Sequence, residues 1–211
     1  MKQKEYFLNG EGDKWIKRNL KEITLRNYNN DLVIEEIKKI KNTFYKKKKI
    51  KVLEIGCGDS TRLKKIKNNE IFCYGLDPSK IAVEKSIKKG IVSKIGTADS
   101  VPFKNNYFDI VIFGFCLYVC DSSDYYKIKR ECLRTLKNKS FIIIEDFFSK
   151  KKIIRKLRHN KKINVTKMDF AKIFCDNKII LISRFIVDYL KKKYTKNLNM
   201  WCSIDTLMVK K

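Results

Sequence analysis

The sequence predicts an α/β fold: a doubly wound, mostly parallel seven-stranded sheet with an N-terminal helical extension. Short apolar runs alternate with amphipathic segments from about residue 50 to residue 148. The runs are nearly continuous in apolar residues, as expected for parallel strands that helices cover on both faces. Two more strand-like runs follow in the last third of the chain. We expect them to close one edge of the sheet as an antiparallel pair.

The elements are predicted in chain order from periodicity and from helix-end signals. An amphipathic helical pattern runs from Asp13 to about Phe44, with a break at Asn27–Asn30 and Asp31 as the N-cap of its second helix. Later helices follow the glycine turn near residue 60, start at Pro78, and run from Asp121 to Lys137. The seven strands are IKVLEI (50–55), IFCYGLD (71–77), IVSKIG (91–96), FDIVIFGF (108–115), SFIIIEDFF (140–148), KIILISRFIV (178–187) and CSIDTLMVKK (202–211).

Composition narrows the class of protein. The formal net charge of +26 comes almost wholly from lysine, with only eight arginines, and the lysines spread along the whole chain. This distribution favours a solvated cationic surface over a dedicated polyanion site. No apolar run reaches the roughly 20 residues of a membrane span, and the first residues lack a signal-peptide core. We therefore expect a cytoplasmic protein, a monomer or homodimer, with an extension or lid at 1–48 and one domain at 49–211.

Cysteine and histidine usage excludes several kinds of site. The seven cysteines include no CxxC pair, which favours reduced thiols and predicts no metal centre. The single histidine, His159, makes a Ser-His-Asp triad improbable.

The stretch VLEIGCGDST (52–61) places two glycines, Gly56 and Gly58, directly after the first strand. Glycine lets the backbone turn sharply there and approach a ligand closely. The dinucleotide fingerprint would require a third glycine at position 61, where the chain has Thr61, and a phosphate-binding P-loop is absent. A pyrophosphate site is therefore disfavoured.

Two carboxylates follow the neighbouring strands. Asp77 ends the second strand and can accept hydrogen bonds from both hydroxyls of a ribose. Asp99 lies in GTADSVPF after the third strand and can accept a hydrogen bond from an adenine amino group, with Val101 as an apolar wall. Because these groups all lie at the carboxyl ends of strands, they describe a site for an adenosine without a diphosphate.

Four stretches carry a family resemblance: VLEIGCGDS, GLDPS, GTADSVPF and FDIVIFGFCLYV. With them, residues 49–146 resemble a class I S-adenosylmethionine-dependent methyltransferase of the type 11 methyltransferase-domain group, which has a Rossmann-like fold. The resemblance implies S-adenosylmethionine as the cofactor. The residues that it implies for binding are Glu54, Gly56, Cys57 and Gly58 at the methionine portion, Asp77 and Pro78 at the ribose, Asp99 and Ser100 at the adenine, and Phe115 by the methyl group. Ser60 stands where the family often has glycine, and Tyr118 stands near a position where it often has histidine.

A hydroxyl acceptor would require a general base. The candidates are Tyr118, Asp146 and His159, with Glu145 beside Asp146. Trp15 and Arg18 lie three residues apart on one face of the N-terminal helix. We interpret this helix as a lid over the cofactor, with Arg18 pairing the cofactor's carboxylate.

A small-molecule acceptor, such as a sugar or another metabolite, is the first hypothesis, because the fourth-strand loop lacks an Asn-Pro-Pro-Tyr type motif and no RNA-binding module is appended. A tRNA or rRNA methyltransferase is the alternative, motivated by the charge. A non-catalytic binding protein of the same fold is a second alternative. A nicotinamide oxidoreductase is disfavoured by Thr61 and by the Asp99 loop.

Overall fold

The structure is a computed structural model that describes residues 1–25, 28–191 and 193–211. For residues 20 and 22–25 it describes the backbone alone. The strands of the central sheet are β1 Ile50–Ile55, β2 Ile71–Asp77, β3 Val92–Ile95, β4 Phe108–Gly114, β5 Leu136–Phe147, β8 Ile179–Asp188 and β9 Trp201–Val209, and a separate hairpin is formed by β6 Ile153–Leu157 and β7 Asn160–Lys167. The helices are α1 Gln3–Tyr6, α2 Gly12–Leu25, α3 Leu32–Phe44, α4 Thr61–Ile66, α5 Lys80–Lys88, α6 Tyr125–Thr135 and α7 Ala171–Phe174.

The sheet order is β3-β2-β1-β4-β5-β9-β8. Strands β1 to β5 pair in parallel, and β9 pairs antiparallel with both β5 and β8. This confirms the predicted seven-stranded, mostly parallel sheet and its antiparallel edge pair. Because β8 is antiparallel to β9, it runs in the same direction as β5, so their carboxyl ends lie at the same edge of the sheet.

The two faces of the sheet carry separate hydrophobic cores. Leu53, Val111 and Ile142 are buried on one face, while Val52 and Ile110 are buried on the other. Successive side chains of a strand point to opposite faces, so apolar residues at consecutive positions fill both cores. This is why the inner strands are nearly continuous apolar runs.

The N-terminal extension is tied to the domain at helix starts. The Asp13 carboxylate accepts hydrogen bonds from Ser79 Oγ at 2.6 Å and from Ile81 N at 3.1 Å, at the beginning of α5. Asp31 caps α3 as predicted, accepting from Val33 N at 2.9 Å and from Ile34 N at 3.1 Å. The extension therefore packs on the edge of the sheet where ligands bind in this class of fold.

The structure differs from the sequence prediction in several places, among them the start of α5, which is Lys80 after the N-cap Ser79 and not Pro78. Helix α6 ends at Thr135, and Leu136 already begins β5, so the predicted helix to Lys137 is too long. The β6–β7 hairpin was not predicted, nor was the helical segment of residues 3–11 that precedes α2. Asn27, in the predicted break between α2 and α3, lies outside the described residues. In the described part of the chain, no helix has the length and apolar character needed to span a bilayer.

Candidate cofactor and acceptor site

A cavity of about 810 Å³ opens at the carboxyl edge of the sheet. Residues at the ends of β1, β2, β4 and β5 line it, together with residues after β3 and β8 and residues of α1 and α2. Its volume is towards the upper end of the roughly 300–1,000 Å³ typical of small-molecule pockets. The cavity thus lies where doubly wound sheets bind ligands.

The glycine turn forms the floor of this cavity beyond β1. Gly56 has φ +74° and Gly58 has φ +52°, both in the left-handed region that favours glycine. A Cβ at position 56 would lie 2.6 Å from Cys116 Cβ, whereas a Cβ at position 58 would meet nothing within 4 Å. Gly56 is therefore required by packing as well as by backbone conformation. Gly58 leaves open space on the cavity side.

Ser60 also adopts a left-handed conformation, with φ +57°. Its side chain is fully buried, and its Oγ accepts a hydrogen bond from Ser86 Oγ at 2.6 Å. This contact offsets part of the cost of a non-glycine residue in that conformation. The departure from glycine at this position is thus accommodated inside the protein, away from the cavity.

Asp77 lines the cavity at the end of β2. Its Oδ2 accepts a hydrogen bond from Gly58 N at 2.9 Å, and its Oδ1 accepts one from Ser79 N at 2.9 Å. Burial raises the pKa of this carboxyl to about 6, although the two backbone amides act in the opposite direction. Asp77 therefore connects the glycine turn to the start of α5 and is mainly ionised at neutral pH.

A buried ionic cluster stands at the base of the cavity. Arg62 donates from Nη1 to Glu54 Oε1 at 2.6 Å and from Nε to Asp31 Oδ2 at 3.1 Å, and it also donates to Glu145. All four side chains are at least nine-tenths buried and line the cavity. Three carboxylates thus share one guanidinium, an arrangement that leaves an excess of negative charge in a desolvated place.

Glu54 is the carboxylate of that cluster whose hydrogen bonding is incomplete. Its Oε2 is buried without a hydrogen-bond partner, and burial raises the pKa of the carboxyl to about 7 despite Arg62. Buried polar atoms in native proteins are usually satisfied, by protein, water or ligand. Glu54 is therefore suited to receive a cationic hydrogen-bond donor from a ligand.

Asp99 follows β3 and lines the cavity with Thr97. Its Oδ1 accepts a hydrogen bond from Thr97 Oγ1 at 2.8 Å, and its Oδ2 pairs with Lys4 of the N-terminal segment. Burial acts to raise the pKa of Asp99, but the bonds from Lys4 and Thr97 outweigh it, so the pKa lies below the usual range. Lys4 therefore brings α1 to the carboxylate that was predicted to contact adenine.

The structure separates the predicted lid residues. Trp15 lines the cavity near Tyr118, whereas Arg18 donates to Glu11 at 2.5 Å and lies outside the cavity lining. Phe115 and Tyr118 both line the cavity beyond β4. Burial, followed by the nearby Asp146, raises the pKa of Tyr118 far above its usual range. Tyr118 is thus a neutral hydrogen-bond donor at physiological pH.

Three other predicted residues stand apart from the cavity lining. Asp146 is fully buried and accepts hydrogen bonds from the backbone N–H groups of Leu117, Tyr118 and Phe147, so it fixes the turn after β4. His159 is exposed at the turn of the β6–β7 hairpin, and Ser100 lies in the turn closed by Thr97. Cys57 and Pro78, by contrast, line the cavity with the glycine turn and Asp77.

The charge of the cavity is opposite to that of the chain. Eight carboxylates and three cationic side chains line it, while the whole chain carries +26. The carboxylates belong to Asp31, Glu54, Asp59, Asp77, Asp99, Asp121, Asp124 and Glu145, and the cations to Lys4, Arg62 and Lys191. The lysines lie mostly on the surface, so their number says little about what the cavity binds.

Several functional residues were not singled out from the sequence. Arg62 was predicted only as part of the helix that follows the glycine turn, Phe147 only as part of the fifth strand, and Lys4 and Tyr189 carried no signal. Arg62 had one usable sign, since it is one of only eight arginines and comes just after the glycine turn. The others reach the cavity through tertiary contacts that no local pattern encodes.

Comparison with known proteins agrees with this geometry. Residues 53–144 match the family described as "Methyltransferase domain". Demethylmenaquinone methyltransferase of Thermotoga maritima is 38% identical over 101 residues, which are 44% of this chain and 42% of that protein. An uncharacterized protein of Methanocaldococcus jannaschii is 30% identical over 120 residues, 57% of this chain and 51% of that protein. The chain therefore spans about half the length of the curated relatives that it matches.

One solved structure resembles nearly the entire chain. It is Burkholderia thailandensis 1,6-didemethyltoxoflavin-N1-methyltransferase with bound 1,6-didemethyltoxoflavin and S-adenosylhomocysteine. The TM-score is 0.68 at 10% sequence identity, and the match covers 99% of this chain and 87% of that chain. At this identity the likeness shows the fold. Residues 53–144 thus match a methyltransferase domain, and the chain has the Rossmann-like fold of class I S-adenosylmethionine-dependent methyltransferases, in agreement with the resemblance seen in the motifs.

Proposed function

We propose that this chain transfers a methyl group from S-adenosylmethionine to a small acceptor that carries no phosphate. The observation that carries the proposal is the acidic cavity, lined by eight carboxylates in a chain of net charge +26. Like charges in a partly desolvated site repel strongly, so this cavity disfavours phosphates and favours a sulfonium cation. The names of the T. maritima and B. thailandensis proteins, both methyltransferases of small molecules, support it.

The residues present fit this cofactor. Asp77 would hold the ribose hydroxyls, Asp99 the adenine amino group, and Glu54 the α-ammonium group of the methionine portion. The unpartnered Oε2 of Glu54 and the open space at Gly58 are what such a ligand requires. Each oxygen of Asp99 has two lone pairs, so this carboxylate can accept a further bond beside Lys4 and Thr97.

S-adenosylmethionine supplies a methyl group on a positively charged sulfur, which needs little acid–base help from a protein. The chain's own contribution is to hold the two reactants in line and to exclude water. Trp15, Phe115 and Tyr118 line the cavity where β4 ends. These side chains would orient the acceptor and keep water away from it.

Calorimetry of the purified protein with S-adenosylhomocysteine and with NAD tests the cofactor. We expect micromolar binding of S-adenosylhomocysteine and none of NAD, and the reverse would refute the proposal. Label transfer from radioactive S-adenosylmethionine into cell extract tests the acceptor. The extract is divided into a metabolite fraction and an RNA fraction, and label in the metabolite fraction alone is the expected result.

RNA methylation is a second candidate because of the β6–β7 hairpin and its flanks, here called the basic hairpin (residues 150–167). This segment carries nine lysines and arginines and no acidic residue. It contacts the extension, since Asn160 Nδ2 donates to Glu11 Oε2 at 3.1 Å. An RNA oligonucleotide that binds with a log–log salt slope near −3, equal to about four phosphate contacts, would favour this candidate. An RNA affinity that does not change with salt concentration would favour the small-molecule acceptor instead.

A further inference from the structure

Four aromatic rings form one continuous group in the cavity wall. Phe147 is its centre, with ring centroids 5.2 Å from Phe115, 5.1 Å from Tyr118 and 5.3 Å from Tyr189. All four are half-buried and line the cavity, so each retains surface that a ligand can contact. We call this group the aromatic wall. It differs from core aromatics such as Phe113, which are fully buried.

The topology places the aromatic wall opposite the nucleoside half of the cavity. Phe115 follows β4, Phe147 ends β5 and Tyr189 follows β8, whereas Asp77 and Asp99 lie beyond β2 and β3. Strand β1, with the glycine turn, stands between the two halves. In addition, Phe147 and Val187 both pair with Cys202 of β9, so β5 and β8 end at the same level.

We propose that the aromatic wall is the acceptor subsite and that it binds a planar aromatic or heteroaromatic ring, neutral or cationic and without a phosphate. This rests on the proposed methyl transfer and names its substrate class. An aromatic side chain packs favourably against a flat aromatic ligand at a centroid separation of about 4.5–7 Å, and the face of its ring attracts cations more than anions. The eight carboxylates around the cavity add to the preference for a neutral or cationic ring.

The polar groups at and behind the aromatic wall restrict which kind of acceptor atom can be methylated. Tyr118 stays protonated, and Asp146 behind it is held by three backbone N–H groups, so neither is available to remove a proton from an alcohol. Tyr118 and Asp146 thus offer no general base for an alcohol, and the proposal takes the acceptor atom to be nucleophilic by itself, such as a ring nitrogen or an electron-rich ring carbon. Its electron pair forms the bond to the methyl carbon while the carbon–sulfur bond breaks and leaves its pair on sulfur. The acceptor gains the positive charge. An acceptor with a hydrogen on the methylated atom loses that proton to bulk water once the product has left the cavity, and one without such a hydrogen leaves as a cation.

Binding of model rings tests the subsite without needing turnover. The protein is saturated with S-adenosylhomocysteine, and quinoline, N-methylquinolinium, 1-naphthyl phosphate and cyclohexanol are titrated by calorimetry. We expect both quinoline compounds to bind. We expect naphthyl phosphate and cyclohexanol to bind at least tenfold more weakly, as the loss of ring stacking and charge repulsion predict. Binding of naphthyl phosphate as tight as that of quinoline would overturn the proposal.

Variants identify the wall as the place of binding. Phe147→Leu keeps an apolar side chain and should weaken quinoline binding about tenfold, with S-adenosylhomocysteine affinity unchanged. Tyr189→Leu should weaken it in the same direction. The matched control is Phe148→Leu, because Phe148 is buried against Trp201 and Arg184 outside the cavity lining. If Phe147→Leu and Tyr189→Leu bind quinoline as the native protein does, the subsite is wrong. If S-adenosylhomocysteine fails to bind the native protein, it is the methyl transfer that is wrong.

Discussion

The ionisation of Glu54 should control how tightly the protein binds the methionine end of its cofactor. Its carboxyl has a pKa of about 7 because it is buried, and Arg62 offsets that effect only in part. The groups that face it are Arg62, Asp31 and Glu145 of the ionic cluster. Since an α-ammonium group pairs with the ionised carboxylate, affinity should rise as pH rises through 7. The ionised fraction of Glu54 is about tenfold larger at pH 8 than at pH 6, so Glu54 should change the affinity about tenfold over that range, and Asp77, with its pKa of about 6, should add about twofold.

Glu54→Gln separates this contribution from others. The amide has nearly the same shape but no charge, so it should lose a charge-assisted hydrogen bond of about 1.5–3 kcal/mol, a 10- to 150-fold loss of affinity at pH 8. The pH dependence should shrink to about twofold, the part expected from Asp77 with its pKa of about 6.

Calorimetric titration with S-adenosylhomocysteine at half-unit steps from pH 6 to pH 8 measures both effects. Asp109→Asn is the control, since Asp109 is buried and pairs with Lys137 away from the cavity. Its pH profile should follow the native one. A native dissociation constant that stays flat over this range would refute the role of Glu54, and so would a Glu54→Gln variant that keeps the tenfold slope.

Five further substitutions probe the glycine turn and the turn after β4, each by thermal unfolding and calorimetry. Gly56→Ala should destabilise the protein by about 2–5 kcal/mol, because the strain of the left-handed backbone adds to the clash with Cys116. Gly58→Ala should cost about 1–2 kcal/mol, because only the backbone strain applies there. Equal losses of stability in the two variants would contradict this. Ser60→Ala should cost about 1 kcal/mol by losing its hydrogen bond while keeping its strain, and Ser60→Gly should be nearly neutral because it loses both. Asp146→Ala should lower stability by about 2–4 kcal/mol, as it leaves buried backbone N–H groups unpaired, and a neutral result would refute its role as a turn support.

The inner strands of the central sheet were predictable because burial on both faces requires nearly continuous runs of apolar residues. Strand β4 is buried at Phe108 through Phe113, and its sequence is correspondingly apolar throughout. Asp77 and Asp99 were predictable as cavity residues because the carboxyl ends of parallel strands meet at one edge. Local chemistry and topology were sufficient for these features.

The β6–β7 hairpin was not predictable in the same way. Its first strand is almost fully exposed and rich in lysine, so no alternation of apolar and polar residues marks it. Tyr189 reaches the cavity only because β8 runs in the same direction as β5, two strands away in the sheet. Such residues depend on long-range strand pairing, which a single sequence does not encode locally.

The contrast between surface and cavity shows why net charge is a poor guide to this protein's ligand. A charge of +26 spread over the surface is screened within about 10 Å at 0.1 M ionic strength, whereas partly buried charges are screened far less. Glu54 and its two carboxylate neighbours in the Arg62 cluster are at least nine-tenths buried, so a ligand inside the cavity meets them almost unscreened. The field inside the cavity is therefore set mainly by these carboxylates and by Arg62. A cationic cofactor and an acceptor without phosphate both suit that field.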